Sequence, residues 1–165
     1  DEEYFEKGEF ADILQAVRAS ATLPYVSKPV YLNNTPYFDG GCACKLPYQW
    51  ALDNNYKKVI VVKNQNSDYR VDISKNLNYL IERSYRNFPE LSKAMADGDV
   101  RYNEQCNEIE SLEKEGKIFV FSPSKKLKID TLESDLSKLI KLYFLGYNDT
   151  KKRMDELISY LNAEG

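Results

Sequence analysis

At 165 residues and 42% hydrophobic content, the chain is about the size of one domain and can furnish a core, which argues against a disordered polymer. Its 26 acidic and 23 basic residues nearly balance, and a net charge of −3 supplies no footprint for gripping a phosphate backbone, so nucleic acid is not expected as a partner. There is no histidine, and Cys42, Cys44 and Cys106 are the only cysteines; this removes Ser-His-Asp and Cys-His catalysis within the chain, histidine-ligated metals and an even disulfide framework. No cofactor or metal is expected.

The cysteines read as free thiols in a reducing compartment. No apolar run approaches the roughly 20 residues of a spanning helix, and no basic-then-apolar leader opens the chain, so the expectation is a soluble, cytoplasmic protein. The chain starts at Asp1 in an acidic stretch without a methionine, which reads as a piece of a longer protein.

In chain order, Phe10, Ile13, Leu14 and Val17 recur at helical spacing and predict an amphipathic helix with those four on one face. Pro24 ends regular structure. Val30 to Leu32 and Tyr37 to Phe38, separated by Asn33-Asn34, predict a small hairpin or tight bend. Asp39-Gly40-Gly41 closes the second segment, and Pro47 to Asp53 reads as a helix. The β-branched run Lys58 to Val62 predicts a central strand buried on both faces, as in a parallel sheet. Leu77, Leu80 and Ile81 mark a further helix. Leu91 to Leu112 predicts one or two helices broken near Gly98, and Gly116 is a helix stop. A strand follows from Ile118 to Phe121. Two amphipathic helices close the chain, one carrying Leu136, Leu139, Ile140, Tyr143 and Phe144, the other Met154, Leu157, Ile158 and Leu161. Gly146 is predicted to separate them, with Asp149 capping the second. Helices outnumber strands, giving an α/β class that is helix-rich.

The chemically informative stretch is residues 19 to 41, ASATLPYVSKPVYLNNTPYFDGG, followed by Leu46-Pro47 and the strand at 58 to 62. On its own, Asp39-Gly40-Gly41 is an ordinary turn tripeptide. In order, however, a small-residue Ala-Ser-x-x-x-Pro run, a Pro-Val strand, an aromatic-flanked Asp-Gly-Gly, a proline-started helix and a hydrophobic strand strongly resemble the second signature region of patatin-like phospholipases. Residues 101 to 104, 116 to 121 and the final helices look like the tail that follows the catalytic domain in a bacterial subgroup of that family.

The resemblance implies a three-layer α/β/α catalytic fold, with residues 1–70 as its C-terminal part and 71–165 as a helical region bearing one strand near 117–122. It implies that Asp39 is the base of a Ser-Asp dyad, acting directly on a serine hydroxyl, with Gly40 and Gly41 shaping its turn. Aspartate is a weak base, so positioning within hydrogen-bond reach has to supply what basicity does not. The glycines allow unusual backbone conformations and close main-chain approach. The implied nucleophile lies in a Gly-x-Ser-x-Gly elbow. Glycines stand at 8, 40, 41, 98, 116, 146 and 165, no two of them four apart, so the elbow is not in this chain. The expectation is a lipid acyl hydrolase whose serine and oxyanion loop belong to an absent N-terminal part of the catalytic domain, with this chain inactive alone. Its partners would be an acyl-ester substrate, that N-terminal part and, transiently, a membrane surface; Lys125, Lys126 and Lys128 read either as a contact to anionic lipid headgroups or, more plainly, as a solvated surface loop. The alternative is a noncatalytic partner- or lipid-binding module with a vestigial Asp-Gly-Gly turn. Cys42-x-Cys44 lacks metal or redox spacing, Ser20 lacks an elbow, and the abundant Tyr and Phe residues read as core before they read as an acyl-pocket rim.

Overall fold

The first helix, α1 (Ile13–Ser20), starts where the Asp12 side chain accepts the Gln15 N–H at 3.2 Å, a side-chain N-cap. A computed structural model of the chain describes residues 2–6, 12–73, 83–127, 129 and 133–163. The predicted apolar face of α1 needs correction: Ala16 and Ala19 are buried with Ile13 partly so, whereas Leu14 is 77% and Val17 61% exposed. Alanines let the helix lie close on the hairpin that follows, so the small residues rather than the large ones mark its inner face. Phe10 lies outside the described residues.

That hairpin pairs β1 (Val30–Leu32) with β2 (Thr35–Tyr37), with Val30 opposite Tyr37 and Leu32 opposite Thr35. Asn33 and Asn34 both take positive φ, 48° and 65°, as a two-residue hairpin turn of primed type requires. Val30 and Leu32 join Ala16 and Ala19 in one core cluster, with Phe5, Ile13 and Tyr37 packed against it.

After a single 3-10 turn at Gly40–Cys42 come α2 (Tyr48–Asp53) and β3 (Val59–Val62). A long helix, α3 (Pro89–Lys114), leads to β4 (Ile118–Phe121), which pairs parallel to β3 with Val59 opposite Ile118 and Val62 opposite Phe121. The parallel arrangement matches the β-branched run, but burial on both faces does not: Val59 is buried while Val62 is 74% exposed, and β4 is the sole strand paired with β3 among the described residues. Gly98 does not break α3. A lone helical glycine costs only about 1 kcal/mol, which flanking buried residues such as Tyr102, Cys106 and Ile109 outweigh. Gly116, at φ 72°, does end it: the Lys117 N–H donates to Leu112 C=O and the Gly116 N–H to Glu113 C=O, both at 3.0 Å, a Schellman stop. The helix anticipated around Leu77, Leu80 and Ile81 lies outside the described residues.

The chain ends in α4 (Leu136–Lys152) and α5 (Met154–Asn162). Gly146 lies inside α4, and the break falls at Arg153, whose guanidinium bonds Val120 C=O, Glu113 and Glu156 and lies 4.5 Å from the Phe119 ring centroid. Asp149 does not cap α5; it accepts the Ser124 N–H at 2.8 Å. Tyr160 of α5 reaches the sheet, its hydroxyl accepting the Val59 N–H at 3.0 Å.

Two units, each discontinuous in sequence, divide these elements: Asp1–Pro47 with Val71–Asn103, and Tyr48–Arg70 with Glu104–Gly165. In the first, Asn103 clamps the Val71 backbone through its Oδ1 at 2.8 Å and its Nδ2 at 3.0 Å. In the second, the core gathers Val59, Ile109, Ile118, Phe119 and Val120. The chain is thus a helix-rich α/β protein. Among the described residues no helix is long and apolar enough to cross a membrane.

Candidate functional site

The end of α1 fixes the Asp39 turn. Thr22, buried, donates its hydroxyl to Arg18 C=O at 2.8 Å, and its own carbonyl accepts the Asp39 N–H at 3.0 Å. The chain leaving β2 is thereby tied to the helix C-terminus. Asp39 then caps the 3-10 turn: its Oδ1 accepts the Gly41 N–H at 2.7 Å, and its carbonyl accepts the Cys42 N–H at 3.0 Å. Oδ2 has no hydrogen-bond partner among the described residues. The result is a half-buried carboxylate with one oxygen anchored and the other available.

The two glycines differ in purpose. Neither takes positive φ, so unusual backbone conformation is not what residues 40 and 41 supply. A Cβ at Gly41 would lie 3.0 Å from Asp39 Oδ1, so glycine there lets the carboxylate fold onto its own backbone; a Cβ at Gly40 meets nothing within 4 Å.

Asp39, Gly40 and Gly41 line a cleft of about 950 Å³ in the first unit, with aromatic walls that include Phe5, Tyr37 and Phe88. Phe38 stands edge-to-face on Phe88 and Tyr85, centroids 6.0 and 5.8 Å apart, and Phe5 on Tyr37 at 5.7 Å. Tyr37 donates its hydroxyl to the Glu3 carboxylate, which raises the phenol above its ordinary value. Lys45, another lining residue, is paired with Asp99 at 2.6 Å. Asn87 and Phe88 immediately precede α3 and Pro89 opens it, far along the chain; no local pattern around the Asp-Gly-Gly tripeptide points to them.

Other nucleophile candidates fare poorly. Burial pushes the Cys42 thiol up to about 11, the Asp39 carboxylate adding to the effect and Lys45 partly opposing it, so Cys42 is a protonated thiol at neutral pH. Ser20 lines the cleft at the exposed end of α1, in helix rather than on an elbow. Among the described residues no three His, Cys, Asp or Glu side chains gather as a metal site.

A family model described as a domain of unknown function (DUF6363) matches residues 88–162, from the residue before α3 to the end of α5, leaving the Asp39 turn outside the match. No curated protein matches the chain.

Proposed function

We propose that this chain supplies the catalytic aspartate of a serine-type lipid acyl hydrolase with a patatin-like three-layer α/β/α fold. The observation that carries the reading is the Asp39 carboxylate: Oδ1 is held by the Gly41 N–H, and Oδ2 is unengaged in an aromatic-walled cleft. A weak base needs this kind of prior positioning, since locking the carboxylate removes orientational entropy that would otherwise add to the barrier.

In the proposed chemistry, Asp39 takes the proton of a serine hydroxyl as its oxygen attacks an ester carbonyl. It returns that proton to the departing alcohol, leaving an acyl-serine. Water then attacks the acyl carbon with Asp39 again as base, and serine and free acid are released. The serine belongs to a Gly-x-Ser-x-Gly elbow in an N-terminal part of the parent protein. The exposed Val62 on β3 supports a further layer over that face of the sheet, because parallel sheets are ordinarily covered on both faces. No cofactor takes part.

The test is hydrolysis of a short-chain chromogenic ester by the parent protein, by its Asp39→Asn variant and by this chain alone. The expected result is activity confined to the unmodified parent, with Asp39→Asn reducing it by about a hundredfold or more. An Asp39→Asn parent as fast as the unmodified one would sink the dyad.

A second reading has its own observation: capping the turn through Gly41 is a sufficient structural reason for Asp39, as in a vestigial motif of a noncatalytic binding module. A parent without esterase activity and without the elbow would favour it.

A further inference from the structure

Helix α4 has two apolar faces. One turns inward: Leu142 and Leu145 are half-buried, and Asp149 on the same side accepts the Ser124 N–H. The other carries Leu136, Ile140, Tyr143, Phe144 and Tyr147, all exposed, with Tyr143 at 67% and Phe144 at 55%. The rings form a continuous surface, Tyr143 edge-to-face on Phe144 at 5.4 Å and stacked with Tyr147 at 6.4 Å. Beside it an apolar groove of about 710 Å³ runs along Leu139, Leu142, Gly146 and Met154. Helices α4 and α5 contain no buried residue, and a run of exposed aromatic and aliphatic side chains on this scale marks an interaction surface.

Charge decides among occupants. The chain as a whole is at −3, yet α4 sets four lysines, Lys138, Lys141, Lys151 and Lys152, against the single Asp149. Of the neighbouring carboxylates, Glu133 is paired with Lys138 at 2.6 Å and Glu156 with Arg153 at 2.8 Å, while Asp135 caps the Ser137 N–H at 2.8 Å, Asp149 accepts from Ser124 and Asp155 stands in the first turn of α5. Lys141, Lys151 and Lys152 have no ion pair among the described residues. A second copy docked face to face on the same helix would set these lysines against one another.

We propose that the outward face of α4 docks on an anionic lipid surface, Tyr143, Phe144 and Tyr147 entering the headgroup boundary and Lys141, Lys151 and Lys152 engaging headgroup phosphates. This is how an amphipathic helix with aromatic and aliphatic residues on one side and lysines flanking them lies in an interface. The inference stands apart from the hydrolase reading, because docking is measured without turnover.

The test is flotation of the full chain with vesicles of phosphatidylcholine alone or with added phosphatidylglycerol. The expected result is recovery with the anionic vesicles, weakened by added salt, with Lys141→Gln and Lys151→Gln each lowering the partition coefficient about fivefold and Tyr143→Ser with Phe144→Ser lowering it more than about tenfold. These side chains are exposed, and an unchanged circular dichroism melt verifies that the variants fold. Absence of recovery with anionic vesicles, or recovery indifferent to both sets of substitutions, overturns the proposal. So does a concentration-dependent dimer abolished by the Tyr143 and Phe144 changes, which would assign the face to a second copy.

Discussion

Asp39 Oδ1 lies 2.7 Å from the Gly41 amide nitrogen, and the same oxygen would lie 3.0 Å from any Cβ placed on residue 41. One contact therefore couples the identity of residue 41 to the aim of the carboxylate. Gly41→Ala is expected to displace the carboxylate, weaken a charge-assisted hydrogen bond and destabilise the chain by about 1.5 kcal/mol, while lowering esterase activity of the parent by about tenfold or more. Gly40→Ala, with open space around its Cβ, stays within about 0.5 kcal/mol. Urea unfolding of the chain and ester hydrolysis by the parent check the pair; equal effects at 40 and 41 would refute the assignment.

A second contrast concerns Gly98 inside α3 and Gly116 just beyond its end. Gly116 holds φ 72° outside the helix, so Gly116→Ala is expected to cost about 1 kcal/mol through left-handed strain. Gly98 is helical and its added Cβ meets Lys45 Cε at 3.9 Å, an ordinary contact, so Gly98→Ala gains about 0.8 kcal/mol in helix propensity. Urea midpoints should move in opposite directions.

Cys42 predicts a pH dependence. Below the ordinary thiol value of 9.0 the group is protonated in both folded and unfolded chains and contributes no slope. Between 9.0 and about 11 the unfolded chain releases a proton that the folded chain keeps, so stability falls as pH rises through this window. Unfolding measured from pH 8 to pH 11 should show a steeper decline for the unmodified chain than for Cys42→Ser, and alkylation of native Cys42 should be slow until the pH nears its raised value.

Features written in local chemistry were legible from the sequence. Asn33-Asn34 names its own turn, Gly116 its own helix stop, and Ile118 to Phe121 its strand, because each depends on backbone preferences within a few residues. Gly98 and Gly146 do not end their helices, since a lone helical glycine costs only about 1 kcal/mol. Periodicity also chose the wrong residues on α1, since it weights Leu14 and Val17 over the Ala16 and Ala19 that contact the hairpin. At the candidate site, the Asp39, Gly40 and Gly41 positions share one cleft, as their adjacency requires. Its far wall at Phe88 was illegible, being set by tertiary approach rather than by spacing. The distinct duties of Gly40 and Gly41 likewise depend on a side-chain contact that spacing does not specify.

The pairing of Val59 with Ile118 has a consequence for the order in which the chain acquires shape. Parallel strands cannot be joined by a tight turn, and closing so long a connection carries an entropic penalty that local contacts escape. The hairpin at Asn33-Asn34, the packing of α1 on it and the Asp39 cap all join residues close in sequence, so they can assemble while the ribosome is still making α3. The β3–β4 sheet must wait for Phe121 to emerge. The carboxylate is thus aimed by the early-forming part of the molecule, and slow steps of folding fall on the sheet.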